Sequence, residues 1–150
     1  MNKPKLLVNI IPFSLETGNV FIGKRLDDLK VNIVSGKLKY GEEFSTAASR
    51  LLKEDIGVSV QELERFKFLC TYNIIDKERE IHFVGVMFYI DLNTDETKWI
   101  SINKYTFTSW VFATVEDLVN YKDDCYISLK VFIEKFEIKN KEDIKSIVSN

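Results

Sequence analysis

Two cysteines, two prolines and a single histidine exclude several kinds of protein for this 150-residue chain. Cys70 and Cys125 lie far apart and outside any C-x-x-C pair, so neither a zinc site nor a disulfide framework is suggested, and both read as buried reduced thiols. No Gly/Ser/Pro-rich linker, repeat or low-complexity segment divides the sequence, so residues 1–150 read as one domain able to bury a substantial core. No apolar run reaches membrane-spanning length. LLVNII near the start is too short and interrupted for a secretory signal, so the chain reads as intracellular, cytoplasmic and not membrane-bound. Positive charge is not in excess either: 21 Lys and Arg face 23 Asp and Glu, a net charge of -2. Bulk affinity for nucleic acid or an anionic membrane is therefore not expected, although a nucleotide held locally by a metal and a few basic groups is still allowed.

What is present is an ordinary globular composition, 45% hydrophobic and 29% charged, with eleven Phe, six Tyr and two Trp. Lys5 to Phe13 is an apolar run that reads as a buried strand. The turn LETG and a second strand, Asn19 to Arg25, would complete a hairpin. Phe44 to Ile56 has a helical period that ends at Gly57, a C-cap residue. Phe66 to Ile75 and Ile81 to Asp91 read as strands joined by DKERE, and Thr106 to Ala113 as another. Val115 to Asn120, Tyr126 to Phe136 and a short terminal segment, Lys141 to Val148, read as helices. Strands surrounding one central helix, with helices at the end, predict an α/β fold: a mixed sheet between helical layers.

The most informative stretch is Gly36 to Val58, GKLKYGEEFSTAASRLLKEDIGV. Residues 36–42 are expected on a loop and Phe44 to Ile56 on a helix. At 100° per residue, with Arg50 as zero, Glu54 falls at about 40°, Leu51 at about 100° and Asp55 at about 140°. Glu54 and Asp55 therefore share a face, with Leu51 between them. Adjacent like charges repel, and hard carboxylate oxygens suit Mg²⁺ or Mn²⁺, which fill their remaining positions with water and phosphate. Taken alone, two neighbouring acidic residues on a helix are equally a solvated surface.

The spacing as a whole resembles the Nudix box, G-x5-E-x7-R-E-U-x-E-E-x-G-U, in which U is a bulky aliphatic residue. Gly36, Glu42, Arg50, Leu52, Glu54, Gly57 and Val58 meet seven of its nine specified positions, and Asp55 conserves the charge of an eighth. Leu51 stands where the pattern has a glutamate. The flanks VFIGKR, IHFVGVMFYIDL and TSWVFATVEDL resemble the family's neighbouring strands and its tryptophan segment, so the resemblance spans about residues 5 to 135.

This resemblance implies a Nudix-type α/β/α sandwich. It also implies divalent-metal-dependent hydrolysis of a nucleoside diphosphate linked to another group, in a nucleotide sugar, a nucleoside triphosphate or a similar molecule. By position, Glu54 and Asp55 match metal-binding carboxylates, and the Gly36 carbonyl matches a backbone ligand. Arg50 and Glu42 match the pair that braces the loop, so Glu54, Arg50 and Glu42 are the expected catalytic set. Arg25 would lie near the substrate mouth.

The departures point to atypical or reduced catalysis. Leu51 removes a carboxylate, Lys39 stands where many relatives have another glutamate, and Val34-Ser35 replaces a Pro-Gly pair. GDP-mannose mannosyl hydrolases share an Arg-Leu pair at this point of the box, and DLVNYKDDCYISLKVFI resembles their C-terminal end. They rely, however, on a histidine in the loop before the tryptophan segment, and KWISINKYTFTSW has none. His82 is expected in a strand as a packed or edge residue. The alternative reading is a catalytically inactive Nudix-like module that binds a nucleotide or a protein partner.

Overall fold

The computed structural model describes residues 3–148. The chain runs β1 (Lys5–Phe13), β2 (Val20–Arg25), β3 (Val31–Asn32), β4 (Val34–Lys37), α1 (Phe44–Ile56), a 3₁₀ turn (Leu63–Arg65), β5 (Lys67–Asp76) and β6 (Ile81–Asp91). It ends with α2 (Thr94–Lys98), β7 (Phe107–Ala113), α3 (Val115–Asn120), α4 (Ile127–Lys135) and α5 (Lys141–Val148). No helix among the described residues is long and apolar enough to cross a membrane.

The strands form a mixed sheet. β1 runs parallel to β6 along its whole length, from Lys5↔Phe83 to Phe13↔Asp91, and β5 pairs antiparallel on the far side of β6. The other edge of β1 is divided between two strands. β4 takes Leu7 to Ile10, whereas β2 meets β1 only at Phe13↔Val20. The expected β1–β2 hairpin is therefore a single pairing, because β4 occupies the rest of that edge. β2 instead pairs with β3 and, along most of its length, with β7.

Alternation along the strands sends side chains to opposite faces of the sheet. Val8 and Ile10 of β1, Phe21 of β2 and Val86, Phe88 and Ile90 of β6 pack against Ala47, Ala48, Leu51, Leu52 and Ile56 of α1. Ile11, Phe13, Val20, Ile22 and Met87 pack on the other face against Leu118 of α3, Leu129, Phe132 and Ile133 of α4, and Ile144 of α5. The result is the expected α/β/α layering. α1 is the main cover of its face, with Val60, Leu63, Ile100 and Ile102 packed beside it.

Two features anchor the frame. Asn9, fully buried in β1, donates to the Tyr72 hydroxyl (2.8 Å) and the Val86 carbonyl (3.1 Å), and accepts from Ser35 Oγ (2.7 Å). Arg65 grips Glu96 with both terminal nitrogens (2.8 and 2.6 Å), while Glu96 also closes a capping box with Asn93 at the start of α2. The guanidinium beside Glu96 holds that carboxyl below the usual range.

Candidate active site on helix α1 and the adjoining cleft

Helix α1 has the bounds its periodicity predicts, and Gly57 ends it in the left-handed conformation (φ 75°), with its N–H bonded to the Lys53 carbonyl. That conformation favours glycine over any residue with a Cβ. The segment before the helix is not all loop as expected: residues 34–37 form β4, so Gly36 sits within a strand beside Val8. A Cβ at Gly36 would collide with Leu51 Cδ2. The box glycine thus leaves room for Leu51 to pack against the backbone of β4.

Arg50 and Glu42 are joined as their spacing implies. Arg50 Nε donates to Glu42 Oε2 at 2.7 Å and Nη2 to Oε1 at 2.9 Å, while Nη2 also donates to the Lys37 carbonyl at 2.9 Å. Glu42 Oε1 accepts from the Lys39 N–H at 2.8 Å. One guanidinium thereby ties the helix, the end of β4 and the loop together, and paired parallel bonds of this kind are directional as well as strong. These hydrogen bonds with Arg50 bring the Glu42 carboxyl down to about 2. Lys39, which stands where relatives have an acid, contributes through its backbone.

Glu54 and Asp55 adjoin each other but are not equivalent. Glu54 is half exposed and accepts from Arg50 Nη1 at 3.2 Å. Asp55 is only 7% exposed. Its Oδ1 accepts a long bond from Thr106 Oγ1 (3.5 Å), and its Oδ2 is buried without a hydrogen-bond partner. Burial first, and repulsion from Glu54 second, push its carboxyl up to about 6. A buried carboxylate oxygen with no donor is costly unless a proton or a cation completes it.

Leu51 is 5% exposed and belongs to the core under the sheet, not to the acidic face. Among the described residues no group of three or more His, Cys, Asp or Glu comes together to hold a metal. Among the described residues Glu54 and Asp55 are therefore a pair that no third His, Cys, Asp or Glu joins as a candidate metal ligand.

Beside the box lies a cleft of about 280 Å³ lined by Arg25, Asn32, Gly36, Lys37, Tyr105, Thr106 and Tyr126, among others. Thr106 links it to Asp55. Arg25 is there, as expected, but its charge is engaged: the guanidinium lies 3.8 Å over the Tyr126 ring and pairs with Asp28 (3.2 Å) and Asp27 (3.7 Å). Asn32, Thr106 and Tyr126 had no signal in the sequence, because the short β3 and the loop before β7 bring them together. His82 lies across the sheet, paired through Nε2 to Asn73 Oδ1 on β5.

The NUDIX domain model matches residues 3–135, which takes in every strand, the box and all but the last helix. The chain belongs to the Nudix family. Against curated proteins the sequence finds no significant match. Solved structures do resemble this Nudix chain. A NUDIX hydrolase from Nitrosomonas europaea superposes with a TM-score of 0.69 at 14% identity, over 95% of each chain. The MutT protein from Methanosarcina mazei Go1 gives 0.68 at 14% identity, over 91% of this chain and 96% of that one. An Ap4A hydrolase from C. elegans gives 0.60 at 14% identity, over 87% and 95%. At such identities the likeness is one of fold, while the family membership supports a hydrolase.

Proposed function

We propose that the chain is a divalent-metal-dependent hydrolase of a nucleoside diphosphate linked to another group, with catalysis reduced by the leucine at position 51. The observation that carries this reading is Asp55 Oδ2, buried and unpartnered beside the Glu54 carboxylate. A solvated surface pair would leave neither oxygen orphaned, whereas a hard cation fits that donor set with few protein ligands and several waters. Glu54 and Asp55 would hold Mg²⁺ or Mn²⁺ with the Gly36 carbonyl. When bound, the ion supplies polarisation of a phosphoryl oxygen and acidification of water.

The rest of the chemistry belongs to the chain. Arg50 and Glu42 lock the loop to the helix, so that β4 and the carboxylates keep their relation while substrate enters. Glu54 is the carboxylate open to solvent, placed to accept a proton from water. Lys37, in the cleft, offsets phosphate charge, while Arg25, paired with Asp27 and Asp28, holds the Tyr126 ring at the mouth. Residues 1–150 act as one Nudix-like domain in the cytoplasm.

One observation favours the inactive module: Leu51 packs on Gly36, so the missing acid has been replaced by core packing. The deciding experiment incubates the purified chain with Mg²⁺ or Mn²⁺ and nucleotide sugars, nucleoside triphosphates and Ap4A, the last included because a fold neighbour hydrolyses it. Metal-dependent turnover that Glu54→Gln abolishes is expected. No turnover of any of these, together with no rise in melting temperature at millimolar metal, would favour the module.

A further inference from the structure

Strand β5, KFLCTYNIID, has one paired edge and one free edge. Lys67 to Asp76 pair with β6, and no strand among the described residues pairs with the other side. An edge of this length displays backbone donors and acceptors and is a ready template for a further strand unless something blocks it. Here the guard is slight. Lys135 Nζ, at the end of an exposed side chain, caps the Thr71 carbonyl at 3.0 Å, and Leu69 forms a bulge. Two side chains of β5 are also unlike those of a strand that only faces water. Phe68, opposite Phe88, and Ile75, opposite His82, lie toward the two ends of the strand on the α1 face, and they are 59% and 57% exposed.

We infer that β5 pairs antiparallel with β5 of a second copy of this chain, about a two-fold axis that passes at Tyr72 normal to the sheet. Such an axis keeps both faces of the sheet continuous, so residues set opposite each other must share a face and the strands can slide only in steps of two. Centred on Tyr72, the register sets Thr71 against Asn73 of the second copy and Cys70 against Ile74. The bulge then absorbs Leu69, as it does toward β6, where Phe68 and Cys70 face the consecutive Phe88 and Met87. Beyond it Phe68 meets Ile75, and Lys67 meets Asp76.

Symmetry makes each of these contacts twice. The two exposed apolar side chains cover each other, and opposite charges meet at both ends. Arg79 stands 3.7 Å from the Asp76 carboxylate, a loose pairing across the turn that a second cation can join. A slide of two residues sets Lys67 against Ile74 in one direction and carries it past the end of β5 in the other. The strand thus complements itself in one register, in charge and in apolar contact, which singles out a copy of the same chain over an unrelated peptide. The Lys135 cap holds a single carbonyl and can give way to a backbone donor.

This pairing does not depend on the hydrolase reading, and its test needs no substrate. Analytical ultracentrifugation of the purified chain from micromolar to millimolar concentration is expected to reach twice the 17.5 kDa of one chain. Lys67→Glu sets two acids opposite each other at both ends, as Asp76→Lys sets two cations, and each is expected to weaken the dimer about tenfold or more. The double variant Lys67→Glu/Asp76→Lys exchanges the charges and should recover the wild-type association. Phe68→Ser should weaken it too, and because Lys67 and Phe68 are exposed, circular dichroism should show both single variants folded. The inference is overturned if the wild type stays monomeric throughout the range. It is also overturned if Lys67→Glu and Phe68→Ser associate as the wild type does, or if the folded double variant is no tighter than its single parents. Where Asp76→Lys disturbs the turn and does not fold, the wild type, Lys67→Glu and Phe68→Ser decide alone.

Discussion

Leu51→Glu restores the acid of the box pattern, and the structure gives a definite expectation for it. Leu51 is 5% exposed and packs against Gly36 on the core side of α1. Removing a buried leucine side chain costs on the order of 2–5 kcal/mol. A carboxyl left there without a partner must stay protonated to avoid a buried charge. An unfolded glutamate titrates near about 4.3, so keeping the proton at pH 7 adds up to about 3.7 kcal/mol, at about 1.36 kcal/mol per unit. The sign follows from linkage. The folded form would bind a proton that the unfolded form has lost, so this part of the penalty grows as pH rises above about 4.3 and is nearly gone at pH 4. Leu51→Gln is the control, since it has the same shape but no titration. Urea unfolding in EDTA at pH 7 and pH 4.5 should show Glu less stable than Gln by several kcal/mol at the higher pH and by about 1 kcal/mol or less at the lower. Domains of this size are stable by only about 5–15 kcal/mol, so the Glu variant is expected near the edge of folding at pH 7. If Glu and Gln variants were equally stable at pH 7, position 51 would face a wet cleft and the packing argument would fail.

Three further substitutions probe the same site. Gly36→Ala should cost about 1–3 kcal/mol by overpacking against Leu51, and most of that loss should disappear in a Leu51→Ala background, read as a double-mutant cycle. Asp55→Asn should stabilise the metal-free chain at pH 7 by up to about 3 kcal/mol, the equivalent of raising its carboxyl from 3.8 to about 6, and should abolish the Mg²⁺-induced rise in melting temperature. Glu42 is held down to about 2 in the fold, so its stabilising effect is complete above its ordinary value of 4.5 and is lost as pH falls toward 2. Glu42→Gln should therefore flatten the stability–pH curve within that window and lower it by a constant amount above it.

The parts of the fold that sequence reasoning reached are those where a period or a cap carries the physics. Phe44–Ile56 is bounded by a three-to-four residue apolar repeat and by Gly57, both local. β6 and β1 are long and apolar because both faces are covered, so they show as runs. What escaped was held by distant partners. β3 and β4 are two and four residues long, and become strands only because β2 and β1 present free edges to them. α2 is a five-residue helix whose Asn93–Glu96 capping box is fixed by Arg65, far away in sequence. The cleft residues Asn32, Thr106 and Tyr126 lie on three unconnected segments, and no spacing rule links them.

Position 51 shows where the legible part of the site stops. An angle of about 100° from Arg50 places a residue between two faces of the helix, and the helix alone does not say which face it joins. The choice is made by β4, whose glycine lets the strand backbone close over the leucine. A leucine there is thus more than a ligand removed: the side chain, the glycine opposite and the helix–strand distance form one packed unit. On the proposed reading, the catalysis that survives comes from Glu54 and Asp55. Both lie one turn further along the same helix, and the Arg50–Glu42 clamp keeps Glu54 in register with the loop whether or not position 51 is acidic. The clamp is therefore separable from the packing at Leu51. Stability losses at Leu51 and Glu42 should accordingly add in the double variant, whereas losses at Glu42 and Glu54, which share Arg50, should not.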